Sequence, residues 1–172
     1  MVNIYKVRLT VLQIEIVRLL FVKAGSSLNQ RQIANHLEVS QPAVMKAVPS
    51  LEKQGYIVME KESKRWAITL NRNNNRITQL KRADNLRQIY ESGLTEFLEK
   101  EHAGASIILF GSYSRGEDTI NSDIDIAIIG RKEKNMDLKK FEKHMGRKII
   151  INFYESFKSI HKHLKENILN GI

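Results

Sequence analysis

Two short groups of residues could do chemistry together: Gly111-Ser112 and, after ten intervening residues, Asp123-Ile124-Asp125. Both lie in the stretch IILFGSYSRGEDTINSDIDIAII, from Ile107 to Ile129. A glycine lets backbone approach a ligand closely. A serine at the start of a helix sets a hydroxyl beside exposed N–H groups, where a phosphate sits well. Carboxylates at i and i+2 on a strand share one face, with Ile124 and Ile126 on the other. Their oxygens can share one hard cation such as Mg²⁺. The elements needed to position these groups follow directly. An apolar strand ends at Phe110, a small-residue turn and short helix follow, and a second strand carries the acids.

This pattern resembles the signature of the polymerase-beta-like nucleotidyltransferase superfamily, and in particular of its minimal members. The resemblance implies that Gly111 and Ser112 hold the triphosphate of ATP or another nucleoside triphosphate. It also implies that Asp123 and Asp125 hold Mg²⁺ or Mn²⁺ and are catalytic, with a third carboxylate supplied by a later strand. Nucleotidyl transfer needs an in-line triphosphate, cations against the developing charge and a positioned acceptor hydroxyl. Arg115 or Lys148 would neutralise the leaving pyrophosphate. Ser114, Asn121 and Ser122 read as turn and cap residues, and Glu117-Asp118 as a capping pair or a carboxylate near the metals.

The later strand, Lys148 to Tyr154, reads Lys-Ile-Ile-Ile-Asn-Phe-Tyr and contains no acid. Asn152 is its only metal-capable side chain, a weaker neutral ligand, and Glu155 lies just past the strand end. This departure from the family pattern bears on a second metal and on the base, and less on one metal with a bound nucleotide. His161 and His163 stand at i and i+2 of an expected helix, so they point about 200° apart and cannot share an ion. His36, His102 and His144 have no partner at ligand spacing.

The 172 residues suit one or two domains, each with a small core if two. The absence of cysteine excludes disulfides and thiolate zinc sites, and is compatible with a cytoplasmic protein. No apolar run reaches membrane-spanning length and the first residues do not open a signal peptide, so no membrane partner is expected. The net charge of +9 is uneven. Residues 1–72 hold 11 basic against 5 acidic side chains, and the remaining 100 hold 17 against 14. A denser basic excess at the N-terminal end suits a polyanion-binding module.

The pattern there predicts three helices: Thr10 to Lys23, about Asn29 to Leu37, and one capped by Ser40 that runs to Gly55. Two short strands follow, Tyr56 to Met59 and Trp66 to Leu70, around a charged tip from Glu60 to Arg65. Residues 10–70 resemble a winged helix-turn-helix domain of the MarR or ArsR kind. In that plan the third helix presents Ser40, Gln41, Ala43 and Lys46 to a major groove of double-stranded DNA. Lys46, Lys61, Lys64 and Arg65 would reach phosphates, and Gln30, Arg31 and Gln32 would approach the backbone. Pro49 falls inside that third helix, where a kink or a distorted last turn is expected.

Polar residues Asn71 to Asn75 mark the domain junction. Apolar residues from Ile77 to Leu98 then recur at helical spacing, with Ser92-Gly93 a natural break. This connecting segment could pack intramolecularly or against a second copy, and winged-helix regulators are commonly homodimers. Beyond the two strands described, a helix capped by Asp137 runs to His144, and an amphipathic helix spans Ser156 to Leu169.

The expected fold class is α+β. A winged-helix domain (1–72) leads through a long connecting helix (73–103) to a minimal nucleotidyltransferase domain with a short mixed sheet (104–172). The expected function is a DNA-binding transcriptional regulator that binds a Mg²⁺–nucleoside triphosphate and transfers a nucleotidyl group to a macromolecule. Minimal nucleotidyltransferases often act with a HEPN-type protein partner in toxin-antitoxin modules, and the resemblance carries that implication here. The competing expectation is a regulator whose C-terminal domain is a catalytically idle nucleotide sensor or partner-binding module. A third is a winged helix that binds protein or RNA.

Overall fold

The computed structural model describes residues 9–62 and 65–172, and the chain divides after Asn74 into two compact units. In the first, Thr10 caps helix α1 (Val11–Val22) and exchanges reciprocal hydrogen bonds with Gln13. Asn29 does the same with Gln32 at helix α2 (Gln30–Leu37), and the Ser40 hydroxyl accepts from the Ala43 N–H at helix α3 (Gln41–Lys53). Ile16, Leu20, Ile33, Val44, Val48 and Leu51, at helical spacing on the three helices, are almost fully buried. Strands β1 (Ile57–Glu62) and β2 (Arg65–Leu70) pair antiparallel, with Ile57 opposite Leu70 and Glu62 opposite Arg65.

One expectation needs correcting in this unit. Glu60, Lys61, Glu62 and Arg65 belong to the paired strands, not to a loop, because a ladder tolerates charge wherever both faces meet solvent. Helix α3 continues through Pro49 to Lys53, which leaves the expected kink or distorted last turn neither required nor excluded. Pro49 lies on the exposed face, so water can reach the Met45 carbonyl, which loses its helical partner. The helix then ends in a Schellman arrangement. Gly55 takes φ +75°, its N–H donates to the Glu52 carbonyl at 2.8 Å, and the Tyr56 N–H donates to the Leu51 carbonyl at 3.0 Å.

In the second unit the connecting segment is two helices, α4 (Asn75–Glu91) and α5 (Leu94–Glu101), broken at Gly93 with φ +73°. The buried face of α4 is Ile77, Lys81, Asn85 and Ile89, four apart. It is therefore rotated from the apolar stripe read in the sequence, and Tyr90 is left exposed. Strand β3 (Ser106–Phe110), helix α6 (Gly111–Arg115) and strand β4 (Ile124–Ile129) follow. Helix α7 (Lys139–Met145) and strand β5 (Ile149–Tyr154) come next.

The sheet order is β3-β4-β5, with the first pair antiparallel and the second parallel, so the sheet is mixed. Ile124, Ile126 and Ile128 face a core shared with Ile89, Leu94, Leu98, Phe141 and Met145. On the opposite face Phe110, Ala127 and Ile129 meet Ile160 and Ile168. The predicted terminal helix is a 3₁₀ turn, Phe157–Ser159, then α8 (Lys162–Leu169), with extended backbone at Ile160 between them.

Candidate nucleotide site and nucleic-acid face

The topology brings three strand ends to one margin of the sheet. Strand β3 finishes there at Phe110, antiparallel β4 starts there after Asp123, and parallel β5 starts there after Lys148. Asp125 is half-buried inside the ladder, whereas Asp123 stands one residue ahead of the strand, outside the ladder. Phe110 and Ile150 are the register neighbours of Asp125 on either side. Burial beside such groups, and then the charge of Asp123, hold the Asp125 carboxyl above its ordinary range. The two acids are therefore close enough to interact, but only Asp125 lies on the strand, where the alternation predicts both.

Gly111 opens α6 with φ +77°, and a Cβ built on it would overlap Asp125 Oδ2 and lie 3.2 Å from Cγ. Glycine is thus needed twice, for the backbone and for the space. The Gly111 turn therefore lies directly against the Asp125 carboxylate. Ser112 is half-buried, and its carbonyl accepts from the Glu117 N–H at 3.0 Å. Arg115 pairs with Glu117 at 2.8 Å. Lys148 is exposed, and its carbonyl accepts from the Ile124 N–H at 2.9 Å, which sets it beside Asp123.

The fit to a cation can be stated from the donors. Two carboxylates and the phosphates of a bound nucleotide are a sufficient set for one Mg²⁺, which keeps several waters and needs no all-protein cage. Burial, and then the charge of Asp123, disfavour the ionised Asp125 carboxyl, a penalty that a cation beside it would offset. Among the described residues no group of three or more His, Cys, Asp or Glu gathers as a metal cage. The register explains why. Ile150 occupies the place beside Asp125, while Asn152 pairs with Ala127, one two-residue step (about 6.6 Å) further along the strand. Asn152 and Glu155 instead line a separate cleft with Arg131 and Lys132.

The loop that delivers Asp123 is held by a buried ionic cluster. Asp118 is 1 % exposed, pairs with Lys81, accepts from Asn85 Nδ2 at 2.7 Å and meets Arg147 at 2.9 Å. Arg147 also donates to the carbonyls of Thr119 and Ser122, the latter at 3.0 Å. Its guanidinium lies 5.6 Å from the Tyr113 ring, whose phenol is pushed up by burial and by Asp118. The Ser122 hydroxyl accepts from the Thr119 N–H, and Ser114 donates to the Gly111 carbonyl, so both serve the turns as read. Asp118 is therefore a framework residue, not a metal carboxylate. Sequence reading passed over Lys81 and Asn85, although their spacing with Ile77 and Ile89 was a usable signal.

In the first unit Gln41, Lys46, Lys61 and Arg65 are exposed and Ala43 is half-exposed. Ser40 is exposed too, its oxygen engaged in the cap. Lys64 lies outside the described residues. Gln41 and Arg65 come together in a cleft of about 570 Å³ with Arg31, Asn35 and Trp66. Asn35 and Trp66 had no functional reading from sequence. Gln32 serves first as the partner in the α2 capping box.

A family model described as winged helix-turn-helix DNA-binding matches residues 10–58, and one described as nucleotidyltransferase domain matches residues 91–172. No match emerges among curated proteins. Similar solved structures include the Staphylococcus aureus MepR–DNA complex, at 21% identity over 54% of this chain and 81% of that one, with a TM-score of 0.39. A point mutant of Lactococcus lactis ZitR is 18% identical over 60% and 68%, with a TM-score of 0.43. The adhesin competence repressor AdcR of Streptococcus pyogenes is 27% identical over 58% and 74%, with a TM-score of 0.39. No helix among the described residues is long and apolar enough to cross a membrane.

Proposed function

We propose that this chain, a winged helix-turn-helix DNA-binding domain joined to a nucleotidyltransferase domain, is a transcription regulator that binds a nucleoside triphosphate and transfers its nucleotidyl group to a macromolecule. The observation that supports the reading is the closeness of Gly111 to the Asp125 carboxylate, since a phosphate held at the turn would then lie beside a cation held at the acid. Gly111 and the Ser112 hydroxyl and N–H would hold the β- and γ-phosphates, and Asp123 and Asp125 would hold Mg²⁺ or Mn²⁺. That cation supplies charge neutralisation at the transferred phosphoryl group. Arg115, which pairs with Glu117, or Lys148, whose carbonyl bonds the Ile124 N–H, would offset the charge of departing pyrophosphate. Ser40, Gln41, Ala43, Lys46, Lys61, Lys64 and Arg65 form the duplex-facing set, and the protein works in the cytoplasm, as a homodimer. A purine triphosphate is the expected donor, and a HEPN-type protein is one expected acceptor.

One observation favours a second reading. Ile150, at the place beside Asp125, leaves the site one acid short, which suits a domain that senses nucleotide without turnover. Incubation with labelled ATP, Mg²⁺ and cell lysate separates the two. Label on a macromolecule that disappears with Asp123→Ala supports transfer; saturable ATP binding with no labelled product supports sensing. Absence of any ATP binding sinks both.

A further inference from the structure

The cleft on the winged-helix unit is built for something a paired duplex does not offer. Trp66 is the only tryptophan of the chain and is 42 % exposed. It shares a strand face with Ile68 and Leu70, both buried. At Trp66 that face runs past the apolar layer and meets the polar first turns of α2 and α3. Five carboxamides line the space: Asn29, Gln30, Gln32, Asn35 and Gln41. The capping bonds hold the oxygens of Asn29 and Gln32 in place, and their NH₂ groups take no part in that cap. Arg31 and Arg65 supply positive charge to the same cleft.

We infer that this cleft binds an unpaired nucleotide of a nucleic-acid strand, its base stacked on the Trp66 indole. The inference rests on the winged-helix unit being a nucleic-acid binder and names a second mode for it. An indole needs the open π-face of a base, which pairing and stacking in a duplex cover, whereas every unpaired base presents one. Carboxamides suit base edges, since each carries both donors and an acceptor. Arginines suit the flanking phosphates. The volume of about 570 Å³ admits a nucleotide with some water.

Because Trp66 is the only tryptophan, its emission reports on this cleft alone. The full chain is titrated with a single-stranded oligodeoxythymidylate, followed by tryptophan quenching, and separately with a fluorescein-labelled duplex, followed by anisotropy. Saturable quenching by the single strand is expected. Trp66→Ala should weaken single-strand binding about tenfold and duplex binding clearly less, since Gln41 and Arg65 of the same cleft also face duplex, and Trp66→Phe should recover most of the single-strand affinity. Circular dichroism of both variants reports their folding, and the wild-type quenching arm stands whatever it shows. The inference is overturned by single strand that leaves the emission unchanged, by equal quenching from duplex at matched salt, or by Trp66→Phe as weak as Trp66→Ala. Quenching by single strand with no duplex binding would retain this inference and remove the duplex-regulator reading.

Discussion

Gly111 and Asp125 occupy one another's limits: the glycine has no room for a Cβ because the carboxylate fills that space. Gly111→Ala would force a left-handed backbone on alanine and push Asp125 aside. The backbone part alone costs about 1–2 kcal/mol. Nucleotide and Mn²⁺ affinity should both fall at least tenfold in this variant, read by calorimetry. Unchanged affinity for both would mean the cradle and the acids act separately.

Ile150 is 40 % exposed and pairs with Asp125 on the same face of the sheet. Ile150→Asp should therefore complete a three-acid site at little cost to the core. Mn²⁺ affinity is expected to rise about tenfold, and any transferase turnover to increase with it. Electron paramagnetic titration of free Mn²⁺ measures the first, and no gain would place the third position elsewhere.

Burial and the Asp123 charge raise the Asp125 carboxyl in the folded chain above its unfolded value. The folded state then holds that proton more tightly, so its contribution to stability is present at acid pH and is lost as pH rises through the folded value. Asp125→Asn should raise the thermal midpoint of the metal-free protein at neutral pH and leave it nearly unchanged at acid pH. Mn²⁺ binding to the wild type should strengthen with pH over the same interval. A melting curve insensitive to the substitution at every pH would remove this account of the site.

Asp118 has buried cationic partners in Lys81 and Arg147. Removing one member of such a cluster leaves uncompensated charge, so Asp118→Ala should destabilise the second unit by about 3–5 kcal/mol in chemical denaturation. Arg147→Lys keeps the charge but replaces the two-nitrogen fork, one nitrogen on the carbonyls and one on Asp118, with a single shorter-reaching ammonium. It should retain most of the stability while loosening Asp123, with weaker Mn²⁺ binding as the readout.

On the winged-helix unit, Lys46→Ala and Arg65→Ala should each weaken duplex binding across all sequences. Each should also reduce the slope of log affinity against log salt by about one. A salt slope that neither substitution moves would take those side chains off the phosphates.

Much of this architecture is legible in the sequence because its signals are local. Thr10, Asn29 and Ser40 announce three helix starts through side-chain oxygens one turn from the N–H groups they cap. Gly-Ser and Asp-x-Asp are local too, although alternation fixes the direction of Asp125 alone, because Asp123 lies ahead of the strand. What stayed hidden depends on partners far along the chain. That Ile150 flanks Asp125 follows only from the parallel register of two strands. The inward turn of Lys81 and Asn85 makes sense only once Asp118, more than thirty residues away, is seen between them. Trp66 reads as an ordinary strand residue until the first turns of two helices are placed beneath it.

Asp125 is woven into the sheet, while Asp123 stands just outside it in a connecting loop. An ion between them would have one ligand anchored by strand pairing and one anchored only through the loop, so the grip of Arg147 on the Thr119 and Ser122 carbonyls would set how firmly the second ligand is presented.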